Sequence, residues 1–330
     1  MPFPERQWLR WARREAAGQR HPALRVGIGD DAALFDLGRG WQGALTTDLF
    51  IEGVHFLRRS DPAPVCGRRC ATRALSDLAA MGAAPVALLV SVAFPADADE
   101  RWRRGFQRGV RLAAASAGAA LAGGDLSASP MGVAADIVGL GRVRRGRALL
   151  RSGARPGDLI FVSGILGLAA RGRALVHAGR APSGADDRTA VARHRHPQAR
   201  WALGMALADR GLASAAIDIS DGLSTDLNHL CDESGVGATI DAARLPLIGH
   251  PEALALALHG GEDYELLFAA PARRRAAIAR LASAGLPLAE IGTIERGRGV
   301  WLRQTKGGRR RLRSMGWEHF RSAGGSTMQD

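Results

Sequence analysis

The chain has 330 residues, 46% of them hydrophobic, with 45 basic against 32 acidic side chains and a formal net charge of +13. This size and apolar fraction fit two domains of ordinary size and exclude wholesale disorder. The one lysine, Lys306, lies in Thr305-Lys306-Gly307-Gly308, away from any glycine-rich loop at a helix start, so a P-loop nucleotide site is excluded.

In chain order, residues 5–17 read as a short amphipathic helix with Trp8, Leu9 and Ala12 on one side. Strand-like runs follow at 32–37 and 41–47. Residues 62–81 form a helix opened by prolines and closed by Gly82, and 86–94 a buried strand. The uncharged stretch 78–96 is long enough to suggest a membrane span, but Gly82, Pro85 and Pro95 interrupt it. A helix over 97–117 and a strand over 131–143 complete the first half. Pro156-Gly157 marks a turn, and a boundary at 145–155 divides the chain into domains 1–150 and 151–330. The second half alternates again: strand 159–162, helix 166–178, a polar loop 179–197, helix 201–208, strand 215–219, helix 223–233, strand 264–269, helix 272–284 and strand 288–294. The tail after Ala323 reads as frayed. Alternation of this kind predicts two mixed α/β (α+β) domains.

Several chemistries lack their residues. Cys66, Cys70 and Cys231 form no CxxC pair, which argues against a disulfide framework or a structural zinc site. The first residues are polar and basic with no apolar core of a secretory signal, so a cytoplasmic protein without membrane partners is expected. Aromatics are only 5% and the arginines are scattered, so no nucleic-acid partner is expected. There is no GxSxG elbow. Gly27-x-Gly29 runs into Asp30-Asp31 and is no dinucleotide fingerprint. His194-Arg195-His196, flanked by polar residues, reads as an exposed loop segment.

The placement of the acids is more informative. They recur in six short segments beside glycine or hydroxyl residues: Gly27–Asp31, Thr46-Thr47-Asp48 with Glu52, Ser76-Asp77, Gly123-Gly124-Asp125, Asp218-Ile219-Ser220-Asp221-Gly222 with Asp226, and Gly260-Gly261-Glu262-Asp263-Tyr264-Glu265. Any one of these could be a turn or a cap. Together they imply apposed carboxylates, which repel unless divalent cations lie between them. Magnesium suits oxygen ligands shared with phosphates. Asp125, after two glycines, is expected in a loop that touches a nucleotide.

These segments, in this order, resemble thiamine-monophosphate kinase, of the superfamily that includes aminoimidazole ribonucleotide synthetase and selenophosphate synthetase. The match runs from GIGDDAAL through TTDLFIEGVHF, ALSDLAAMGAAP, AGGD, GRALLRSGARPGD, AIDISDGLSTDL and GGEDYELLF to GWEHF. It departs from the family pattern at Ala74, where Asn is usual, and at Leu126, where Thr is usual. The resemblance implies two domains of the aminoimidazole ribonucleotide synthetase-like type and a homodimer paired through its N-terminal sheet. It implies ATP-dependent phosphorylation of thiamine monophosphate to thiamine diphosphate by direct in-line transfer, with several Mg²⁺ ions. Asp31, Thr46, Thr47, Asp48, Asp77, Asp125, Asp218 and Asp221 would be metal ligands, with Asp48, Asp125 and Asp221 central to catalysis. Gly124, Asp125, Arg151 and Ser220 would contact ATP, and His55, Glu262 and Trp317 the thiamine phosphate. The rivals are another enzyme of the superfamily, such as an aminoimidazole ribonucleotide synthetase, and a basic non-catalytic nucleic-acid binder, which leaves the acidic segments unexplained.

Overall fold

The structure, a computed structural model, describes residues 5–16, 21–283 and 287–318. Its first half holds α1 (Glu5–Ala16), β1 (Leu24–Val26), β2 (Ala33–Gly38), β3 (Trp41–Ile51), α2 (Ala63–Ala80), β4 (Ala84–Phe94), α3 (Glu100–Ser116), β5 (Ala120–Ala128) and β6 (Ala134–Arg144). The six strands form one sheet in the order β1-β2-β3-β6-β4-β5, antiparallel except for the β4–β5 pair. Alternation along β3 and β6 sends Phe50, Ala135 and Ile137 to the face that α2 and α3 cover, where they pack with Cys66, Cys70 and Phe106. The two helices cross almost backbone to backbone. A Cβ on Gly67 would stand 1.9 Å from the Phe106 carbonyl oxygen, and one on Gly109 would stand 2.1 Å from that of Pro64.

The second half holds β7 (Leu159–Ser163), α4 (Leu168–His177), α5 (Ala185–Arg195), α6 (Trp201–Asp209), β8 (Ala215–Ile219), α7 (Leu223–Ser234), β9 (Gly237–Asp241), α8 (Ala253–His259), β10 (Glu265–Ala270), α9 (Arg275–Ser283), β11 (Leu288–Glu295), β12 (Gly299–Arg303) and β13 (Arg309–Arg311). Its seven strands run β13-β12-β9-β11-β7-β10-β8. One face packs on α7 through Ile217, Leu223, Leu227 and Leu267. The other packs on α6 through Phe161, Phe268 and Leu207, and Ala79 and Ala80 of α2 join that cluster. α2 therefore serves both halves, and its C-terminal turn lies where the two sheets meet. Among the described residues no helix is long and apolar enough to cross a membrane.

The expected elements are present with boundaries shifted by a few residues, and several more appear. Residues 120–128 form β5, exposed along nearly its whole length and held as an edge strand by its ladder to β4. Its Gly-, Ala- and Ser-rich sequence carries no β-branched residue, so propensity gives no signal there. Within the expected loop 179–197, α5 forms without an apolar stripe; its buried positions are Asp187, Ala190 and His194. β9, α8, β12 and β13 are likewise additional. The tail after Ala323 lies outside the described residues.

Candidate active site

A cavity of roughly 410 Å³ opens where α2, β3 and the loop before β2 face β8 and the Gly260–Tyr264 turn. Asp31, Thr46, Thr47, Asp48 and Asp77 line it from the first half, and Arg151, Asp218, Ser220 and Asp221 from the second. At its floor, donor atoms of Asp31, Asp77 and Asp218 lie within 4.8 Å of one another. Each acid is pinned by a neighbour. Thr46 Oγ1 donates to Asp77, Ser76 Oγ donates to Asp218 at 2.6 Å, and Arg151 Nη2 donates to Asp31 Oδ1 at 2.6 Å. These bonds do not discharge the cluster. Burial, with Asp48, Asp218 and Asp31 nearby, raises Asp77 well above the usual carboxylate range. Burial and Asp31 push Asp218 up to about 7, and the same two causes push Asp30 to about 7.

The other end of the cavity is built differently. His55 is buried, and Ile51 N–H donates to its Nδ1 at 2.9 Å, so a neutral ring carries its proton on Nε2. Glu262 and Tyr264 adopt positive φ angles of 69° and 51°. Such backbone costs about 1–3 kcal/mol per residue and persists only when its surroundings fix it. Here Glu262 N–H donates to Ser220 O at 2.7 Å and Tyr264 N–H to Ile219 O at 2.9 Å, tying the turn to the end of β8. Between them Asp263 accepts from Gly167 and Ala169 N–H and so fixes the start of α4. Trp317 N–H donates to Asp221 O at 3.0 Å. Trp317 is 41% exposed at the cavity, so it is no buried packing anchor, and the Arg173 guanidinium lies over its ring, 6.0 Å from the centroid.

The carboxylates, Arg151 and Ser220 thus share one cavity with His55, Glu262 and Trp317. Gly124 and Asp125 do not line it: in place of the expected loop, they lie on the exposed edge strand β5.

The family model described as AIR synthase related protein, N-terminal domain, matches residues 29–143, and its C-terminal counterpart matches 155–303. A thiamine-monophosphate kinase of Escherichia coli is 41% identical over 280 residues, 82% of this chain and 84% of that one. The structure described as AaThiL complexed with AMPPCP and TMP superposes with a TM-score of 0.84 at 31% identity, covering 96% of this chain and 97% of that one. A thiamine-monophosphate kinase structure from Stenotrophomonas maltophilia gives a TM-score of 0.74 at 38% identity, over 89% of this chain and 95% of that one. The chain belongs to the thiamine-monophosphate kinase family. Its two mixed α/β domains are of the AIR synthase type.

In this member of the thiamine-monophosphate kinase family, sequence reasoning missed three arginines and a tyrosine at the site. Arg69, on the buried face of α2, donates from Nη2 to His55 O and to Glu262 Oε1, both at 2.7 Å. Arg73 and Tyr264 line the cavity beside Asp48, and Arg173 of α4 lies 4.0 Å from Glu262 Oε2. Burial alone would raise Glu262, but Arg69, with Arg173 and Arg73, holds it down at about 2. An arginine at a core position among Val65, Cys66 and Cys70 was the available signal for Arg69.

His194 departs from expectation. It is buried, not exposed, and its Nε2 lies 3.4 Å from Asp61 Oδ1, while His177 Nε2 lies 3.3 Å from Asp61 Oδ2. Asp61 belongs to the loop before α2 and the two histidines to α5 and α4, so this cluster braces the two halves behind Arg69.

Proposed function

We propose that this protein transfers the γ-phosphoryl group of ATP to thiamine monophosphate, giving thiamine diphosphate and ADP. The observation that carries this reading is one cavity with the Asp31, Asp77 and Asp218 carboxylates clustered at one end and Glu262, His55 and Trp317 at the other. The likeness to AaThiL, whose structure was solved with AMPPCP and TMP, supports the same substrates. The acceptor is itself a phosphate with a second pKa near 6, largely deprotonated at neutral pH, so no strong general base is needed. The chemical problem is repulsion between two polyphosphates.

The residues fit magnesium. Asp31 Oδ2 is buried with no hydrogen-bond partner, and the raised Asp77 and Asp218 mark a site short of positive charge. Asp31, Asp48, Asp77, Asp218 and Asp221, with Thr46 and Thr47, would hold several Mg²⁺ ions. The chemistry those ions supply is neutralisation and alignment of the two phosphates for direct in-line transfer. Arg151 offers a guanidinium fork and Ser220 a hydroxyl to ATP. Trp317 offers its face to the cationic thiazolium. Glu262, ionised and gripped by Arg69, offers an acceptor for the aminopyrimidine.

A homodimer completes this reading. By register, Leu45, Leu49, Leu89 and Asp125 share the sheet face opposite α2, and the three leucines stand exposed there. Thr47 shares that face and also lines the cavity, so a second copy stacked on it would bring its Gly124 and Asp125 toward the metal end. We place this enzyme in the cytoplasm, where ATP and reduced thiols such as its three buried cysteines persist.

Purified protein with ATP, Mg²⁺ and thiamine monophosphate is expected to yield thiamine diphosphate by chromatography; none from folded protein refutes the activity. Asp48→Asn and Asp125→Asn chains, each inactive alone, are expected to recover about one quarter of wild-type activity when mixed and reassociated, since half the dimers then carry one intact site. No recovery would place Asp125 in its own chain's site.

A further inference from the structure

Arg73 stands one helical turn before Asp77 on α2 and so faces the same cavity. Its Nη2 donates to Asp48 Oδ1 at 2.9 Å, and its Nη1 donates to Tyr264 Oη at 3.3 Å. The guanidinium therefore spans the gap between the carboxylate end and the thiamine end. Three arginines line the cavity. Arg151 is drawn to Asp31 at the carboxylate floor. Arg173 lies 6.0 Å from the Trp317 ring centroid, beside the aromatic face. Arg73 alone of the three sits between the two groups. If Trp317 and Glu262 hold the heterocycles, and the carboxylates hold the ATP end, the acceptor's phosphate must occupy that middle position.

The donor inventory fits this placement. A guanidinium has five N–H groups, and each terminal nitrogen carries two. With one used on Asp48 and one on Tyr264, each terminal nitrogen keeps a second N–H in the guanidinium plane to offer to phosphate oxygens. Arg73 is also held in place from both sides, so little rotamer freedom remains to be lost when a phosphate binds.

We propose that Arg73 is the residue that reads the acceptor phosphate, donating to its non-bridging oxygens and setting the preference for thiamine monophosphate over unphosphorylated thiamine. This rests on the kinase reading above. It assigns to α2 a specificity contact beyond His55, Glu262 and Trp317.

The test compares calorimetric affinities of thiamine monophosphate and thiamine for wild type, Arg73→Gln and Arg73→Lys, at saturating Mg²⁺ with a non-hydrolysable ATP analogue. Arg73→Gln is expected to weaken thiamine monophosphate about 10–100-fold while thiamine changes by less than about threefold, as removal of a bidentate charged contact predicts. Arg73→Lys, a point charge without the fork, is expected to fall between and to decide the matter if the Gln variant does not fold. In turnover, KM for thiamine monophosphate rises and KM for ATP stays level. Parallel loss of both ligands would mean that Arg73 merely supports Tyr264 and Glu262, and an unchanged preference would mean that the phosphate lies elsewhere; either overturns the proposal. A wild-type protein that binds neither ligand and makes no thiamine diphosphate would instead refute the kinase reading itself.

Discussion

Asp77→Asn is expected to remove turnover while making the metal-free protein more stable. Asp77 is half-buried at the cavity floor beside Asp31 and Asp218, and desolvation, with Asp48, Asp218 and Asp31 nearby, raises its carboxyl well above the ordinary range. The sign follows from linkage. The folded state holds a proton that the unfolded chain has lost, so this group favours folding at low pH and the benefit disappears as pH rises through the raised value. At pH 8 without metal, the wild type bears the cost of either holding that proton or accepting the repulsion, and the Asn variant bears neither. Asn keeps an oxygen that can accept from Thr46 Oγ1, so the local hydrogen bond survives. Melting in EDTA at pH 8 should therefore rise, by roughly 1–2 °C for each kcal/mol of relieved repulsion if the whole chain unfolds as one unit, with a smaller gain at pH 6. Turnover should fall at least about 10²–10³-fold, the scale of losing one preorganised electrostatic group. The Mg²⁺-induced rise in melting temperature should shrink with it. Wild-type-like turnover, or a lower melting temperature in EDTA, would show that Asp77 is a structural acid rather than a metal ligand.

The residues legible in the sequence are those whose chemistry forces an unusual local pattern. Asp31, Asp48, Asp77, Asp218 and Asp221 each sit within two residues of glycine or a hydroxyl residue, and their recurrence in a basic chain has no simple surface explanation. Glu262 belongs to a turn so constrained that a non-glycine residue takes a φ of 69°, and the Gly260-Gly261 pair before it announces such a turn. Arg73 and Arg173 were illegible for the opposite reason, and Arg69 showed only as an arginine among apolar helix positions. In a chain whose basic residues are arginine except for Lys306, one more arginine on a helix carries no contrast. Only tertiary placement, with Arg69 bonded to both His55 and Glu262, separates these from the solvated arginines around them. His194 was misread on the same ground: its neighbours in sequence are charged, but its neighbour in space is Asp61. Asp125 shows a further limit. Sequence gave its residue type and motif, but its position on an exposed edge strand depends on sheet order, and the sheet order on the two-helix layer packed beneath it.

Mg²⁺ binding is expected to expel protons and to weaken as the pH falls below about 7. Asp218 sits at about 7 through burial and the charge of Asp31, and Asp77 lies higher than usual for the same kinds of reason. Near neutral pH the metal-free site therefore holds protons on groups that must be carboxylates to ligate. Each proton displaced makes the apparent affinity fall roughly tenfold per pH unit on the acid side. Calorimetry at pH 6.5 in two buffers of different ionisation enthalpy, with Mg²⁺ alone, should report release of about one proton or more per ion bound. Omitting nucleotide and thiamine monophosphate matters, because a phosphate's own second pKa near 6 would otherwise contribute to the same limb. Asp77→Asn should release fewer protons than the wild type, since one of the displaced protons is its own. Affinity that stays flat from pH 6 to pH 8, with no buffer dependence of the heat, would mean that the carboxylates are already ionised. The repulsion inferred from their burial would then be relieved by the protein itself, by Arg73 on Asp48 and Arg151 on Asp31, and not by a bound cation.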